Sequence, residues 1–107
     1  MAEGQKYRLI YAPIIKLHLK TIEHKYYSLI RSSIENELQV EPDVEIRNRK
    51  PLKRPVTFEA EWELHFGPDN RFRVFYDIDM DSHEVHILAI GVKEGNRLFI
   101  GGNEVKL

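Results

Sequence analysis

The spacing of apolar residues changes once along this chain, from a period near four to a period of two. In the first half, Ile15, Leu19 and Ile22 recur at helical spacing, and a second stripe of the same kind follows. In the second half, Trp62 and Leu64 alternate with polar residues, as in a strand that buries one face. Because the two periods occupy separate parts of the chain, we expect an α+β fold in which helices lie on a sheet.

The local patterns predict elements in the order β-α-α-β-β-β. The stretch of residues 7–11 is short and contains aromatic and β-branched residues, which is typical of a strand. The second helical stripe consists of Tyr27, Ile30, Ile34 and Leu38. The later strands are predicted at residues 62–66, 71–78 and 84–91, with a short edge strand or turn at 97–100. We therefore expect an antiparallel sheet with an N-terminal helical hairpin packed on one face.

Length and composition set the class of protein. At 107 residues the chain is expected to form one domain, residues 1–107. No apolar run approaches the roughly 18 residues of a membrane span, and residues 1–11 lack the pattern of a signal peptide. The absence of cysteine excludes disulfides and thiol catalysis. We expect a cytoplasmic protein that does not enter a membrane.

Positive charge is concentrated in residues 47–54, with the sequence RNRKPLKR. This segment holds five cations and no anion, whereas residues 55–107 hold five cations against ten anions. The prolines at 51 and 55 disfavour a helix, so we expect a loop between the helices and the sheet. Such a concentration is typical of contact with a phosphate backbone. The alternatives to a binding role are a solvated loop and an internal contact with the acidic residues of the 77–81 turn.

Two patterns that suggest a metal site fail on spacing. The alternating aspartates of residues 77–81 resemble the start of a calcium loop, but Ser82 and Leu88 stand where such a loop needs glycine and glutamate. His83 and His86 are three residues apart on a predicted strand, so their rings point to opposite faces. The sequence therefore predicts no metal and no cofactor.

Three strings, taken in order, resemble the RelE/ParE superfamily of toxins from type II toxin–antitoxin systems. The first is PL at 51–52 followed by WELH at 62–65. The second is RFRVFY at 71–76, similar to the family's YRVxY strand, and the third is LAIGVKE at 88–94, similar to its VxxVGxRxx ending. The resemblance covers residues 7–99 and rests on the order and spacing of the strings.

The resemblance implies the toxin of a toxin–antitoxin pair. RelE-like members are metal-independent endoribonucleases, or mRNA interferases, that cut mRNA on the ribosome and so inhibit translation. ParE-like members share the fold and inhibit DNA gyrase instead, and a non-toxic relative that binds RNA or an antitoxin is a third alternative. The implied partners are a cognate antitoxin and either mRNA on the ribosome or gyrase, in a homodimer or a toxin–antitoxin hetero-oligomer. An acidic antitoxin is a further candidate partner for residues 47–54.

Cleavage of RNA without a metal uses the 2′-hydroxyl as nucleophile, so it needs proton transfer and cations around the phosphate. Matched to the family's pattern, Arg73 is its strand arginine, Lys93 is the basic residue after the glycine of the last long strand, and His65 stands where a lysine or arginine is common. Histidine can accept and donate protons near neutral pH. The predicted catalytic residues are Arg73, His65 and Lys93. The predicted RNA-binding residues are Arg47, Arg49, Lys50, Lys53, Arg54, Arg71 and Arg97.

Two positions depart from the family's pattern. Glu63 stands where RelE has a lysine, and Phe99 lies near where many active members have a tyrosine. A gyrase inhibitor would not need the proton donor that Phe99 lacks. For Arg73, an ion pair with Glu63 across the strands is the alternative to a role in RNA binding.

Overall fold

A computed structural model describes residues 6–53 and 59–106, which form two helices and seven strands. Both helices lie in the first half of the chain and the long strands in the second, as the change in the spacing of apolar residues predicts. The predicted α+β class is confirmed. The helices are α1 (Ile15–Lys20) and α2 (Tyr27–Leu38). The strands are β1 (Arg8–Tyr11), β2 (Arg49–Pro51), β3 (Trp62–Phe66), β4 (Phe72–Asp79), β5 (Glu84–Glu94), β6 (Arg97–Ile100) and β7 (Asn103–Val105).

The two helices are joined by a 3-10 turn at His24–Tyr26. The Tyr27 hydroxyl donates a hydrogen bond to the Leu19 carbonyl at 2.6 Å, which ties the start of α2 to the end of α1. The stripe of Ile30, Ile34 and Leu38 is buried, as its spacing predicts. None of the helices in the described residues is long and apolar enough to cross a membrane.

The sheet has the order β2-β3-β4-β5-β6-β7, and these neighbours run antiparallel. β1 pairs with the first half of β5 and runs parallel to it. Since β4 pairs with β5 from Glu84 to Val92, β1 and β6 share the other edge of that strand. The sequence predicted the long strands, but it predicted neither β2 nor β7, which have three residues each.

β5 contains a β-bulge that explains its nearly continuous apolar sequence. Phe75 of β4 is opposite Ala89, whereas Tyr76 is opposite Ile87, so Leu88 is an extra residue. The bulge shifts the alternation of β5 by one residue, and Ile87 and Ile90 therefore face the same side. Both are buried in the core that the sheet forms with the helices.

The sheet thus has two faces with different surroundings. Side chains of both helices pack against one face, where Leu64, Val74 and Ile87 are fully buried. We call the other side the outer face, and its centre is a smaller apolar cluster that includes Phe75 and Ala89. Because directly opposite residues of neighbouring strands point the same way, the register determines which polar side chains share the outer face.

One buried polar side chain belongs to the packing of the helices. His18 of α1 is 4% exposed, and its Nδ1 accepts a hydrogen bond from the Ile90 backbone at 3.2 Å. Burial lowers the pKa of His18, because the charged imidazolium is disfavoured away from water. His18 therefore serves to join α1 to β5.

Candidate functional site

The strand register brings basic side chains together on the outer face. His65 of β3 lies opposite Arg73 of β4, and Arg73 lies opposite Gly91 of β5. Lys50 of β2 lies opposite Glu63, which is on the same face of β3 as His65. Lys93 is two residues beyond Gly91 on β5, and the alternation of the strand gives it the same face. Four predicted site residues from four strands thus share one surface.

Arg73 and Lys93 also line one cavity. This cavity has a volume of about 510 Å³ and lies at the end of the sheet where β4 begins and β5 ends. Arg71 contributes to the same wall, together with two acidic side chains, Asp69 and Glu94. The cavity is therefore lined by charges of both signs, with the cations in the majority.

Glu63 changes the electrostatics of this surface. Its carboxylate forms an ion pair with the Nη1 group of Arg73. This is the cross-strand ion pair that the sequence offered as the alternative to a role of Arg73 in RNA binding. The pair is largely withdrawn from water, with 16% of the Arg73 side chain and 8% of the Glu63 side chain exposed. The charge of Arg73 is therefore compensated within the protein.

Two polar atoms next to this ion pair have no hydrogen-bond partner in the part of the chain that the structure describes. They are Nδ1 of His65 and Nε of Arg73, and both are buried. Buried polar atoms are normally paired, and an unpaired one costs about 1–3 kcal/mol. Nε of Arg73 is always a donor, so an oxygen acceptor at this part of the outer face would satisfy it.

The basic segment does not present all its charges to one side. Arg49 is 5% exposed, and its Nε donates to the Val44 carbonyl at 2.8 Å. Its Nη1 donates to the Glu37 carbonyl and lies 3.5 Å from the Glu37 carboxylate. Its guanidinium therefore joins β2 to the end of α2, and it does not lie with the other cations on the outer face. Alternation along β2 explains the difference from Lys50, the next residue.

The remaining predicted RNA-binding residues differ in their surroundings. Arg47 and Lys53 are exposed, and Arg54 lies outside the described residues. Arg71 lies over the rings of Tyr26 and Phe72, at 5.4 and 5.8 Å from their centroids.

Arg97 is separate from the group on the outer face. It forms an ion pair with Glu104 at 3.0 Å and lies 5.1 Å from the Phe99 ring centroid. Phe99 is opposite Val92, so it points to the face away from His65 and Arg73. The proton-donor position suggested by the family's pattern therefore does not face the candidate site in this chain.

The acidic turn between β4 and β5 is stabilised by its own contacts. Asp77 accepts a hydrogen bond from the Glu61 backbone at 2.8 Å, and Asp79 accepts one from Ser82 at 3.1 Å. The bonds from Ser82 lower the pKa of Asp79. Within residues 6–53 and 59–106, no ion pair connects these aspartates to the basic segment.

The same turn brings together three potential metal ligands that are not predicted from the sequence. One ligand atom each from Asp79, Glu84 and His86 lies within 4.8 Å of the others. Glu84, however, forms an ion pair with Arg8, which lowers the pKa of Glu84, and its other oxygen is 3.1 Å from His86. Strand pairing creates this group, so residue spacing alone does not reveal it.

Comparisons with known proteins identify the fold. No family model matches the sequence, and no curated protein is detectably similar to it. A chain of the crystal structure of the toxin–antitoxin complex RelBE2 from Mycobacterium tuberculosis is similar in structure, with a TM-score of 0.67. The two chains share 19% sequence identity over 87% of this chain and 98% of that chain. The fold predicted from the sequence, a RelE-like α+β arrangement, is thereby confirmed.

Proposed function

We propose that this chain is the toxin of a type II toxin–antitoxin pair and that residues on the outer face of its sheet cut mRNA. The observation that carries the proposal is the placement of His65, Arg73 and Lys93 on one surface of a RelE-like sheet. Each comes from a different strand, so the fold is needed to bring them together. The similar chain comes from a toxin–antitoxin complex, which supports a role of the same kind.

The proposed reaction uses side chains of the protein, the 2′-hydroxyl of the RNA and a proton from solvent. The 2′-oxygen attacks the adjacent phosphorus, and the bond from phosphorus to the 5′-oxygen breaks, which leaves a 2′,3′-cyclic phosphate. His65 accepts the proton of the 2′-hydroxyl, and a proton from solvent completes the departing 5′-hydroxyl. Arg73 and Lys93 stabilise the charge that builds up on the phosphate oxygens.

The proposed protein partner is an antitoxin. A cavity of about 600 Å³ between the helices is mostly apolar, and Tyr11, Leu19 and Ile30 are among the residues that line it. An apolar cavity that also includes the exposed side chain of Tyr11 favours a protein partner over a solvated face. Expression together with a small neighbouring gene product should therefore abolish toxicity and yield a stable complex.

The first test is expression of the wild-type chain with mapping of transcript ends. We expect growth arrest and new 5′ ends within translated mRNA. His65→Gln should reduce cleavage by about a hundredfold or more, because it removes the group that takes up the proton.

The matched control for this test is His24→Gln. His24 is exposed and lies in the 3-10 turn between the helices, so this variant should cut like the wild type. Cleavage by His65→Gln at the wild-type rate would contradict the assignment of His65.

A ParE-like gyrase inhibitor is the second candidate, and the Glu63–Arg73 ion pair favours it. That pair compensates the charge of a central cation, which a protein-binding surface tolerates better than a catalytic one. This candidate predicts growth arrest with a DNA-damage response and intact transcripts. The transcript map therefore separates the two functions.

A further inference from the structure

Glu63 is a buried carboxylate in the middle of the basic side chains of the outer face. It is 6% exposed, it forms the ion pair with Arg73 on one side, and Lys50 lies opposite it on the other. His65 is two residues further along the same strand and opposite Arg73. An anion that belongs to the protein thus lies between Lys50 and Arg73 on the outer face.

The guanidinium of Arg73 is only partly used by this ion pair. Nη1 donates to Glu63, while Nε is buried without a partner among the described residues. Arginine commonly binds phosphate through two parallel N–H groups, which gives both strength and a fixed orientation. The unpaired Nε therefore marks a second donor that an oxyanion at this site would engage.

We propose that Glu63 occupies part of the phosphate position of Arg73, so that a phosphate of RNA competes with this carboxylate for the guanidinium. The inference rests on the proposed function in that RNA is the displacing polyanion. It adds a form of regulation at that site, because an internal competitor weakens the binding of RNA.

Lys50 provides a place for the displaced carboxylate. Directly opposite residues of antiparallel strands have Cβ atoms about 4.5–5.5 Å apart, and Lys50 and Glu63 are such a pair. Lys50 is exposed, so its ammonium can move towards Glu63 without disturbing the core. The exchange replaces one ion pair by two, Glu63 with Lys50 and phosphate with Arg73.

The consequence is selection among anions. A single weak anion gains only the contact with Arg73, and it has to break a buried ion pair to do so. An RNA that also reaches Lys93 gains two contacts. Lys93 and Arg73 line the same cavity, so one strand of RNA can contact both. Glu63 therefore favours the binding of an RNA that contacts both Arg73 and Lys93 over the binding of a single anion.

The test is the affinity for a short, fluorescein-labelled, single-stranded RNA of mixed sequence, measured by fluorescence anisotropy. Glu63→Gln keeps the shape of the side chain and a hydrogen-bond acceptor for Arg73, but it removes the competing charge. We expect this variant to bind the RNA about tenfold more tightly than the wild type, which corresponds to about 1.4 kcal/mol.

Glu61→Gln is the matched control, since it removes the same charge two residues away at an exposed position. It should change the affinity by less than about twofold, because an exposed charge at this distance is screened by salt. Equal affinities of the wild type and Glu63→Gln would overturn the inference, as would equal tightening by both variants.

A double-mutant cycle identifies Arg73 as the group that Glu63 occupies. In an Arg73→Gln background, the change Glu63→Gln should no longer tighten binding. An undiminished effect in that background would show that Glu63 acts only through the overall charge, and would overturn the inference.

A measurement on the wild type makes the test independent of whether the variants fold. On titration with the same RNA, the NMR signal of the Arg73 Nε–H group should shift together with the backbone signal of Lys93. An Arg73 signal that stays fixed while Lys93 shifts would overturn the inference.

The outcomes for the two proposals are distinguishable. Cutting of mRNA by the wild type, with no tighter binding by Glu63→Gln, would overturn the inference and leave the proposed function intact. Tighter binding by Glu63→Gln, with no mRNA cleavage by either protein, would support the inference and overturn the proposed endonuclease activity.

Discussion

Residues of the same charge within the basic segment have opposite environments. Arg47 is exposed, Arg49 is buried under the end of α2, and Lys50 is exposed on the outer face. The short strand β2 explains the contrast between Arg49 and Lys50, because successive side chains of a strand point to opposite faces. At the scale of single residues, a charge run is therefore a mixture of structural and surface positions.

Arg49→Ala should destabilise the fold. The substitution leaves the Val44 and Glu37 carbonyls without their charged donor, and we expect a loss of about 2 kcal/mol in the free energy of unfolding. Urea unfolding followed by circular dichroism measures this change.

Arg47→Ala is the control, because Arg47 belongs to the same segment and is exposed. It should change the free energy of unfolding by less than about 0.5 kcal/mol. Similar losses for both variants would contradict the structural role assigned to Arg49.

At the scale of elements, β5 organises the sheet. It pairs with β4 along one edge and with β1 and β6 along the other. Its bulge at Leu88 keeps apolar side chains directed to the helices on both sides of the irregularity. The strand therefore positions Lys93 on the outer face while it also contributes to the main core.

The approach of β5 to β6 depends on Gly91. A Cβ atom there would lie 2.9 Å from both the Phe99 carbonyl oxygen and Cγ1 of Ile100. Gly91→Ala should therefore separate the two strands and cost about 1–3 kcal/mol in the free energy of unfolding. Thermal unfolding measures the effect.

Gly95→Asn is the matched control for Gly91→Ala. Gly95 has a left-handed φ of +62° and open space around it, and asparagine adopts this conformation more readily than other residues. The control should cost clearly less than Gly91→Ala. The opposite order would contradict the close approach of β5 and β6.

At the scale of the whole molecule, a net charge of −1 conceals a separation of charge. On the outer face, Arg73 and Lys93 lie towards the end where β4 begins, Lys50 lies near the middle, and Asp77 and Asp79 lie towards the turn between β4 and β5. A polyanion is therefore attracted to one end of this face and repelled from the other, which orients it as it approaches.

The salt dependence of RNA affinity tests this orientation. Each phosphate contact with single-stranded RNA contributes about −0.7 to the slope of log K against log salt concentration. Lys93→Ala should therefore reduce the magnitude of the slope by about 0.7. Fluorescence anisotropy at several salt concentrations gives the slope.

Lys20→Ala is the control for the salt dependence. Lys20 is an exposed cation at the end of α1, which contributes to the opposite face of the sheet. It should leave the slope unchanged. A slope that falls equally in both variants would show that RNA does not select the outer face.

The sequence alone was sufficient to predict both helices, the long strands and the α+β class, because residue periodicity is a local property of the chain. It also placed His65 and Arg73 on the polar side of their strands, since alternation needs no knowledge of the partner strand. The three-residue strands β2 and β7 were missed, because a periodic signal needs more residues than these strands contain.

Other features were decided by tertiary structure, because they depend on which residues meet across strands. The parallel pairing of β1, the bulge in β5 and the inward position of Arg49 all follow from long-range register. The sequence offered two alternatives for Arg73, and the fold shows that its ion pair with Glu63 is formed. Pairing over long separations brings charges together or keeps them apart, and local patterns contain no record of it.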